Sequence, residues 1–256
     1  MKSIFSNYSY TYGDRTDVGM QRRKNEDRII VVPEFGFFGV TDGMGGLTHG
    51  EETAIIVASS MQEEVERFLN ESGIGLSVQQ AADFLKQTII KISESIYYSS
   101  NRFGKFDFGA TLTCVFLIGD CAVFGNLGDS RGYMIRKSGS PENIIQITTD
   151  HNLANKLVEE GIITKEEAKY HDSSLQLLRF MGIKPPTEPE THIVKLSEGD
   201  VILLCSDGLH DMLFDNEILK IVRENQSIED AVQALIGEAN DSGGTDNITV
   251  VLIELS

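Results

Sequence analysis

The chain has 256 residues, a length that fits one large domain or two small ones and is sufficient for a buried core. Its composition, 41% hydrophobic and 24% charged, is ordinary for a soluble globular protein and too apolar for a disordered one. The 39 acidic and 22 basic residues give a net charge of −17. This charge argues against nucleic-acid binding and against docking on anionic membranes, since both need clustered Lys and Arg.

The first hundred residues alternate strand patterns with helix patterns. Tyrosines that alternate over residues 8–12 predict an N-terminal strand, and the apolar runs 28–32 and 35–41 predict two strands around a turn. Apolar residues at spacings of three and four predict amphipathic helices over 50–69 and 77–99.

Three closely spaced apolar runs follow, at 110–118, 121–127 and 132–137, with short Gly-Asp connections between them. Connections this short are typical of antiparallel neighbours, so we expect each run to pair with the next. A further strand is predicted at 144–148. Residues 150–182 are charged and have helical propensity, which predicts an inserted helical flap outside the core.

The last part of the chain adds strands at 191–196 and 200–206, amphipathic helices at 215–224 and 227–239, and a final strand at 247–255. Antiparallel sheets need their apolar faces covered, and the four amphipathic helices can cover them. We therefore expect an α+β protein, a β-sandwich with helices outside both sheets. The pattern does not determine the strand order.

The three cysteines, Cys114, Cys121 and Cys205, lie among apolar residues and match no zinc-binding spacing. An odd number cannot all pair, so we expect buried free thiols and a reducing compartment. The N-terminus has no apolar signal region, and no apolar run reaches the roughly 18 residues of a membrane span. We expect a cytoplasmic protein.

Carboxylates recur beside glycines or next to strand ends. They are Glu26, Asp27, Asp42, Asp129, Asp207 and Asp246. Carboxylates that converge repel one another and raise each other's pKa, and divalent cations such as Mg²⁺ and Mn²⁺, which prefer oxygen ligands, relieve that repulsion. A single Asp-Gly pair is more often a turn than a ligand. The pattern by itself therefore leaves both a set of turns and a metal site open.

Seven short motifs surround these carboxylates. They are RRKNED at 22–27, TDGMGG at 41–46, FGATL at 108–112, NLGDSR at 126–131, TDH at 149–151, CSDGL at 205–209 and GGTDNIT at 243–249. In this order they resemble the metal-dependent PP2C-type (PPM) protein serine/threonine phosphatases, in a form similar to the bacterial members. The resemblance covers nearly the whole chain. It implies a four-layer α-β-β-α sandwich of two antiparallel sheets, in which residues 1–256 form one domain with the flap inserted.

The resemblance also implies which residues hold metal ions. Asp42 would bridge two Mn²⁺ or Mg²⁺ ions, and the Gly43 carbonyl would bind one of them. Asp207 and Asp246 would bind the other ion, and Asp129 would help to hold a weaker third ion. Phosphoserine and phosphothreonine would then be hydrolysed by direct attack of a hydroxide that bridges the two ions.

Four further residues complete this implied site. Glu26 and Asp27 would order metal-bound waters, and Arg22 would grip the substrate phosphate, for which its planar fork is suited. No protein nucleophile is implied, and the sequence has no Cys-x5-Arg loop. Met44 stands where some family members have a histidine, and because Met44 cannot transfer a proton, we expect a metal-bound water to protonate the leaving group.

The flap departs from the pattern of bacterial relatives, because Leu175 and Leu178 replace polar residues. We expect this difference to affect substrate choice or the affinity for the third ion. The resemblance implies phosphorylated proteins as substrates, among them a cognate Ser/Thr kinase or its targets, and we expect a monomer. The alternatives are a pseudophosphatase that binds phosphoproteins without turnover and a divalent-cation buffer.

Overall fold

A computed structural model describes residues 5–44, 49–72, 75–102, 109–137 and 143–256. Within them, the first of two antiparallel sheets has five strands. From one edge to the other they are β1 (Tyr10–Asp17), β11 (Ile248–Leu255), β10 (Val201–Cys205), β7 (Arg131–Ile135) and β8 (Ile144–Gln146). The N-terminal strand expected from the alternating tyrosines is confirmed as β1.

The second sheet contains the hairpin predicted near the N-terminus. In order across the sheet, its strands are β2 (Asp27–Val32), β3 (Phe37–Met44), β5 (Leu112–Ile118), β6 (Cys121–Leu127) and β9 (Glu190–Lys195), and the short β4 (Gly109–Ala110) pairs with the end of β3. Gly45, Gly46 and Phe108, which belong to two of the motifs, lie outside the described residues.

Two pairs of helices cover the outer faces of the sheets. They are α1 (Gly50–Ser72) and α2 (Val78–Arg102) on the second sheet, and α6 (Asp215–Glu224) and α7 (Ile228–Asp241) on the first. This arrangement confirms the four-layer α-β-β-α sandwich. In the described part of the chain, no helix combines the length and the apolar character that a bilayer crossing requires.

Apart from a 3-10 turn (Pro33–Phe35) between β2 and β3, the remaining helices are short and lie near one end of the sandwich. They are α3 (Leu153–Glu159), α4 (Lys165–Ala168), a 3-10 turn (Asp172–Leu175) and α5 (Asp207–His210). The first three belong to the predicted flap, and α5 follows directly on β10.

The apolar core has three layers, one under each pair of helices and one between the sheets. Phe38 and Phe124 from the second sheet and Ile202 and Val251 from the first are fully buried in the central layer. Burial of each such side chain contributes about 1.5–3 kcal/mol. The sheets are therefore held face to face, and their strand ends are fixed relative to one another.

The expected pairing of 121–127 with 132–137 is wrong, because β6 lies in the second sheet and β7 in the first. The chain crosses between the sheets at Gly128 and Asp129. Both runs are almost entirely buried, so the apolar pattern fits a hairpin and a crossing equally well. The expectation for the cysteines is also corrected in part: Cys114 and Cys205 are buried free thiols, whereas Cys121 is partly exposed.

Gly128 allows this crossing, and its replacement by Ala is expected to destabilise the fold. Its φ is +131°, and an added Cβ would lie 2.6 Å from the Thr111 Cβ. We expect Gly128→Ala to lower the free energy of unfolding by about 3 kcal/mol, measured by urea unfolding, because strain and overlap add. Gly119→Ala is the matched control, since Gly119 has φ +58° with nothing within 4 Å of an added Cβ. It should cost only about 1 kcal/mol, and equal losses would contradict this explanation.

Candidate metal centre

The residues predicted for the site gather where strand ends of the two sheets meet, around a cavity of about 1280 Å³. Those that line it are Arg22, Glu26, Asp42, Gly43, Asp129, Asp207 and Asp246. Asp27 is 1% exposed and pairs in register with Asp42. The structure thus brings together residues that are far apart in sequence, while their individual roles stay predictions.

Asp42 was expected to end its strand, but β3 continues through Gly43 to Met44. The Asp42 N–H donates to the Thr111 hydroxyl over 2.9 Å, and the Thr111 N–H donates to the Asp42 carbonyl over 2.8 Å. The Thr111 hydroxyl also shares a 2.7 Å hydrogen bond with Ser130. The Asp42 backbone is therefore fixed within a sheet and is not part of a loose turn.

Asp207 opens α5, directly after Ser206 and the end of β10. An added Cβ at Gly208 would lie 2.1 Å from the Asn247 carbonyl oxygen, so only glycine lets this turn approach the loop that carries Asp246. The close approach brings two predicted ligands from different motifs to the same edge of the sandwich.

Arg22 and Asp246 form an ion pair, with Arg22 Nη2 and Asp246 Oδ2 2.6 Å apart. Their side chains are 54% and 29% exposed, so the pair lies at the mouth of the cavity. Sequence reasoning assigned the two residues to different tasks and did not foresee this contact. The pairing places a cation beside a carboxylate that is partly exposed to solvent.

Asn247 fastens the loop that carries Arg22 and Glu26. Its Nδ2 donates to the carbonyls of Val18 and Lys24 over 2.9 and 2.8 Å, and its Oδ1 accepts from the Glu26 N–H over 2.8 Å. Asn247 belongs to the motif GGTDNIT, and no role was predicted for it. Its position directly after Asp246 could have indicated a residue that supports the site.

Asp27 is held by two hydroxyl groups that sequence reasoning missed. Its Oδ2 accepts from Ser206 Oγ over 2.7 Å and from Thr249 Oγ1 over 2.6 Å, while its buried Oδ1 has no hydrogen-bond partner. Burial is the main reason that the pKa of Asp27 is raised to about 7. Ser206 and Thr249 each lie next to or within an otherwise apolar run. A polar residue in such a position indicates a buried polar contact.

The other carboxylates at the cavity are also costly to ionise. Burial, and then the neighbouring carboxylates, raise the pKa of Asp42 and of Asp207 well above the ordinary range. Burial, followed by the charge of Asp150, raises the pKa of Asp129 to about 6. The buried Oδ1 of Asp207 has no hydrogen-bond partner. A positive charge nearby would therefore stabilise the ionised form of each of these carboxylates.

A divalent cation between the carboxylates would supply this positive charge. In the salt bridges between described residues, Asp27, Asp42, Asp129 and Asp207 take no part. No three His, Cys, Asp or Glu side chains in the described ranges form a ready-made ion cage. An ion here would therefore complete its coordination with backbone carbonyls and water, as Mg²⁺ commonly does.

The flap is attached to the turn after Asp207 through Lys169. Its Nζ donates to the carbonyls of His210 and Leu213, each over 3.1 Å, and lies 3.9 Å from the centre of the Phe214 ring. Burial lowers the pKa of Lys169. His210 Nε2 in turn donates to the Asp129 carbonyl over 3.1 Å. A chain of contacts thus runs from the flap, through the turn after Asp207, to the backbone of Asp129, and sequence reasoning did not find it.

Comparison with known proteins agrees with this architecture. The profile of the family described as Protein phosphatase 2C matches residues 23–243. The serine/threonine phosphatase stp of Listeria monocytogenes is 32% identical over 254 residues, which cover 94% of both chains. Protein phosphatase PhpP of Streptococcus pneumoniae is 30% identical over 250 residues, which cover 94% of this chain and 96% of PhpP.

Solved structures are similar over almost the whole chain. Stp1 from Staphylococcus aureus superposes with a TM-score of 0.86 and 31% identity, covering 100% of this chain and 98% of Stp1. The catalytic domain of PstP, solved in complex with two manganese ions, has a TM-score of 0.81 and 29% identity, covering 97% of this chain and 99% of that domain. The chain therefore belongs to the protein phosphatase 2C family, as a bacterial-type protein serine/threonine phosphatase.

Proposed function

We propose that the chain hydrolyses phosphoserine and phosphothreonine in proteins with the help of divalent cations held by the carboxylates that line its cavity. The observation that carries this proposal is the pair Asp42 and Asp207, which are partly buried, have strongly raised pKa values and line one cavity without forming an ion pair to a described residue. The complex of the related PstP domain with two manganese ions supports it.

The residues proposed to hold two ions are Asp42, the Gly43 carbonyl, Asp207 and Asp246, and Asp129 would contribute to a weaker third site. Oxygen ligands of this kind suit both Mn²⁺ and Mg²⁺. When bound, such ions supply an activated water as nucleophile and offset the charge of the phosphate. Without them, the cluster of carboxylates would repel a phosphomonoester dianion.

Arg22 is proposed to bind the substrate phosphate. Its guanidinium is more than half exposed and pairs with Asp246, so it can turn towards a phosphate when Asp246 binds an ion. Glu26 lines the cavity, and Asp27 is fixed by Ser206 and Thr249. These two carboxylates are proposed to orient water by accepting its hydrogen bonds.

The proton for the leaving group is proposed to come from water. Met44 lines the cavity and has no proton to give. Of the histidines, His210 also lines the cavity, but its Nε2 is engaged with the Asp129 carbonyl. The side chains that face the cavity next to Asp42 therefore offer no better donor.

The substrates are proposed to be phosphorylated proteins, including a cognate kinase or its targets, and the protein is proposed to act as a single-domain monomer in the cytoplasm. Three unpaired cysteines are consistent with a reducing compartment. A pseudophosphatase is the weaker alternative, because each carboxylate proposed as a ligand faces the cavity.

Turnover with and without metal tests the proposal. The purified protein should hydrolyse both an aryl phosphate and a phosphothreonine peptide with Mn²⁺ or Mg²⁺. Removal of the ions with EDTA should lower the rate at least about 100-fold, because the nucleophile loses its activation, and added Mn²⁺ should restore it. Failure to hydrolyse either substrate with Mn²⁺, together with retained binding of the phosphopeptide, would favour the pseudophosphatase.

A further inference from the structure

The cavity that the carboxylates line is also lined by exposed apolar side chains. Four large side chains from separate elements line it: Ile145 on β8, Tyr170 after α4, Leu175 in the 3-10 turn of the flap and Phe214 at the start of α6. We call these four residues the apolar shelf. Asp42 and Asp207 line the same cavity, so a ligand at the carboxylates can also reach the shelf.

The shelf is exposed to an unusual degree for residues of its kind. Leu175 is 79% exposed, Tyr170 74%, Phe214 48% and Ile145 45%. Single exposed apolar residues are common on protein surfaces, but several that share one concave surface are typical of a binding site. Covering them with apolar groups of a ligand would be favourable, since each buries surface that water now contacts.

One residue of the shelf, Phe214, is held in place before any ligand binds. Lys169, next to Tyr170, donates to the Leu213 carbonyl and lies over the Phe214 ring. The Phe214 N–H donates to Glu217 Oε2 over 2.7 Å. A side chain that is held in place in this way loses little conformational entropy when a ligand binds. The charge of Lys169 is also already engaged, so it does not make the shelf attractive to anions.

The size and charge of the cavity point to the kind of ligand. Its volume of about 1280 Å³ exceeds the roughly 300–1,000 Å³ of ordinary small-molecule sites, so it has room for a peptide segment around a phosphorylated residue. Asp150, Glu166, Asp211 and Asp215 line it as well, with Arg131, Lys165 and Lys169, so acidic residues outnumber basic ones in the lining although Asp150 is paired with Arg131. Acidic residues beside the phosphorylated one would be repelled, whereas apolar ones would be covered by the shelf.

We propose that the shelf selects phosphoprotein substrates in which large apolar residues, and not acidic ones, flank the phosphorylated residue. This proposal rests on the proposed function and adds a substrate class to it. Leu175 is the best residue to change, because its side chain is the most exposed of the four.

The test crosses two peptides with two protein variants. Both peptides contain phosphothreonine in a sequence of Gly, Ala and Ser, flanked on each side by Leu in one and by the isosteric Asn in the other. The variants are Leu175→Asn and Leu178→Asn. Leu178 belongs to the same flap and is 41% exposed, but it does not line the cavity described above, so Leu178→Asn makes the same chemical change away from the shelf.

The wild-type protein should prefer the Leu peptide by about tenfold in kcat/KM, mostly through KM, as expected for apolar flanks held in a pocket. Leu175→Asn should reduce that preference to about twofold, and Leu178→Asn should retain it. Turnover of an aryl phosphate should be the same in the wild-type protein and in Leu178→Asn, because Leu178 does not line the cavity.

The ratio of the two peptide Kd values, measured by fluorescence anisotropy, tests the shelf even if the protein hydrolyses neither peptide. If the wild-type protein did not hydrolyse the aryl phosphate, the proposed function would be contradicted. The ratio of the two Kd values would still show whether the shelf binds apolar flanking residues. Equal Kd and kcat/KM values for the two peptides would overturn the shelf. An equal loss of preference in Leu178→Asn and Leu175→Asn would overturn it too.

Discussion

Replacing Asp207 or Asp42 by Asn is expected to lower the kcat for an aryl phosphate by at least about 100-fold while the protein stays folded. Asn keeps the shape of the side chain but removes the charge that a divalent cation needs from its ligand. Residues that only orient metal ligands typically cost about 10–100-fold when they are changed, so loss of a ligand itself should cost more. Steady-state kinetics at saturating Mn²⁺ measures the effect.

Folding has to be separated from catalysis in these variants. Asp42 raises the pKa of Asp207, and other carboxylates of the site raise that of Asp42, so removing either charge should make the metal-free protein more stable to urea than the wild type. Asp83→Asn is the control, since Asp83 is exposed on α2 and its Oδ1 accepts from Gln79. Kinetics of Asp207→Asn like those of Asp83→Asn would show that Asp207 does not hold an ion.

Asp42 and Asp207 could be predicted as site residues from the sequence, because the residues directly around each of them form a recognisable pattern. Asp42 and Asp207 each come at or near the end of an apolar strand pattern and precede a glycine, and the surrounding motifs fixed their order along the chain. The helices were similarly readable, since α1 and α7 need only an apolar stripe of the right period. These features depend on residues that are close in sequence.

What escaped prediction depends on contacts between distant segments. The crossing at Asp129 depends on which sheet receives β7, and a run buried on both faces fits either sheet. The hydroxyls of Ser206 and Thr249 meet Asp27 only after both sheets have formed. Lys169 reads as an ordinary surface charge until the flap packs on the turn after Asp207. Local sequence patterns specify the type of an element and which of its faces is buried. Contacts between distant segments depend on the packing of the whole chain.

Without metal ions, the protein is expected to become less stable as the pH rises from about 4 to about 7. Asp27 and Asp129 have folded-state pKa values of about 7 and about 6, against about 3.9 in an unfolded chain. Between these values the folded protein keeps protons that the unfolded chain has released, so a rising pH favours unfolding. At about 1.4 kcal/mol per pH unit of difference, Asp27 alone accounts for roughly 4 kcal/mol.

Urea unfolding at pH 5 and pH 8, in EDTA and with Mg²⁺, measures this effect. In EDTA the unfolding midpoint should be lower at pH 8, and Mg²⁺ should recover most of the loss, because ions that bind only the folded state stabilise it. Glu190, whose pKa is lowered to about 2, contributes stability that is lost only below about pH 4, so it does not alter the comparison. Asp27→Asn should reduce the pH dependence in EDTA, whereas Asp83→Asn should keep it. Equal midpoints for the metal-free wild-type protein at the two pH values would mean that these buried carboxylates do not need positive charge, and the argument for a cation between them would fail.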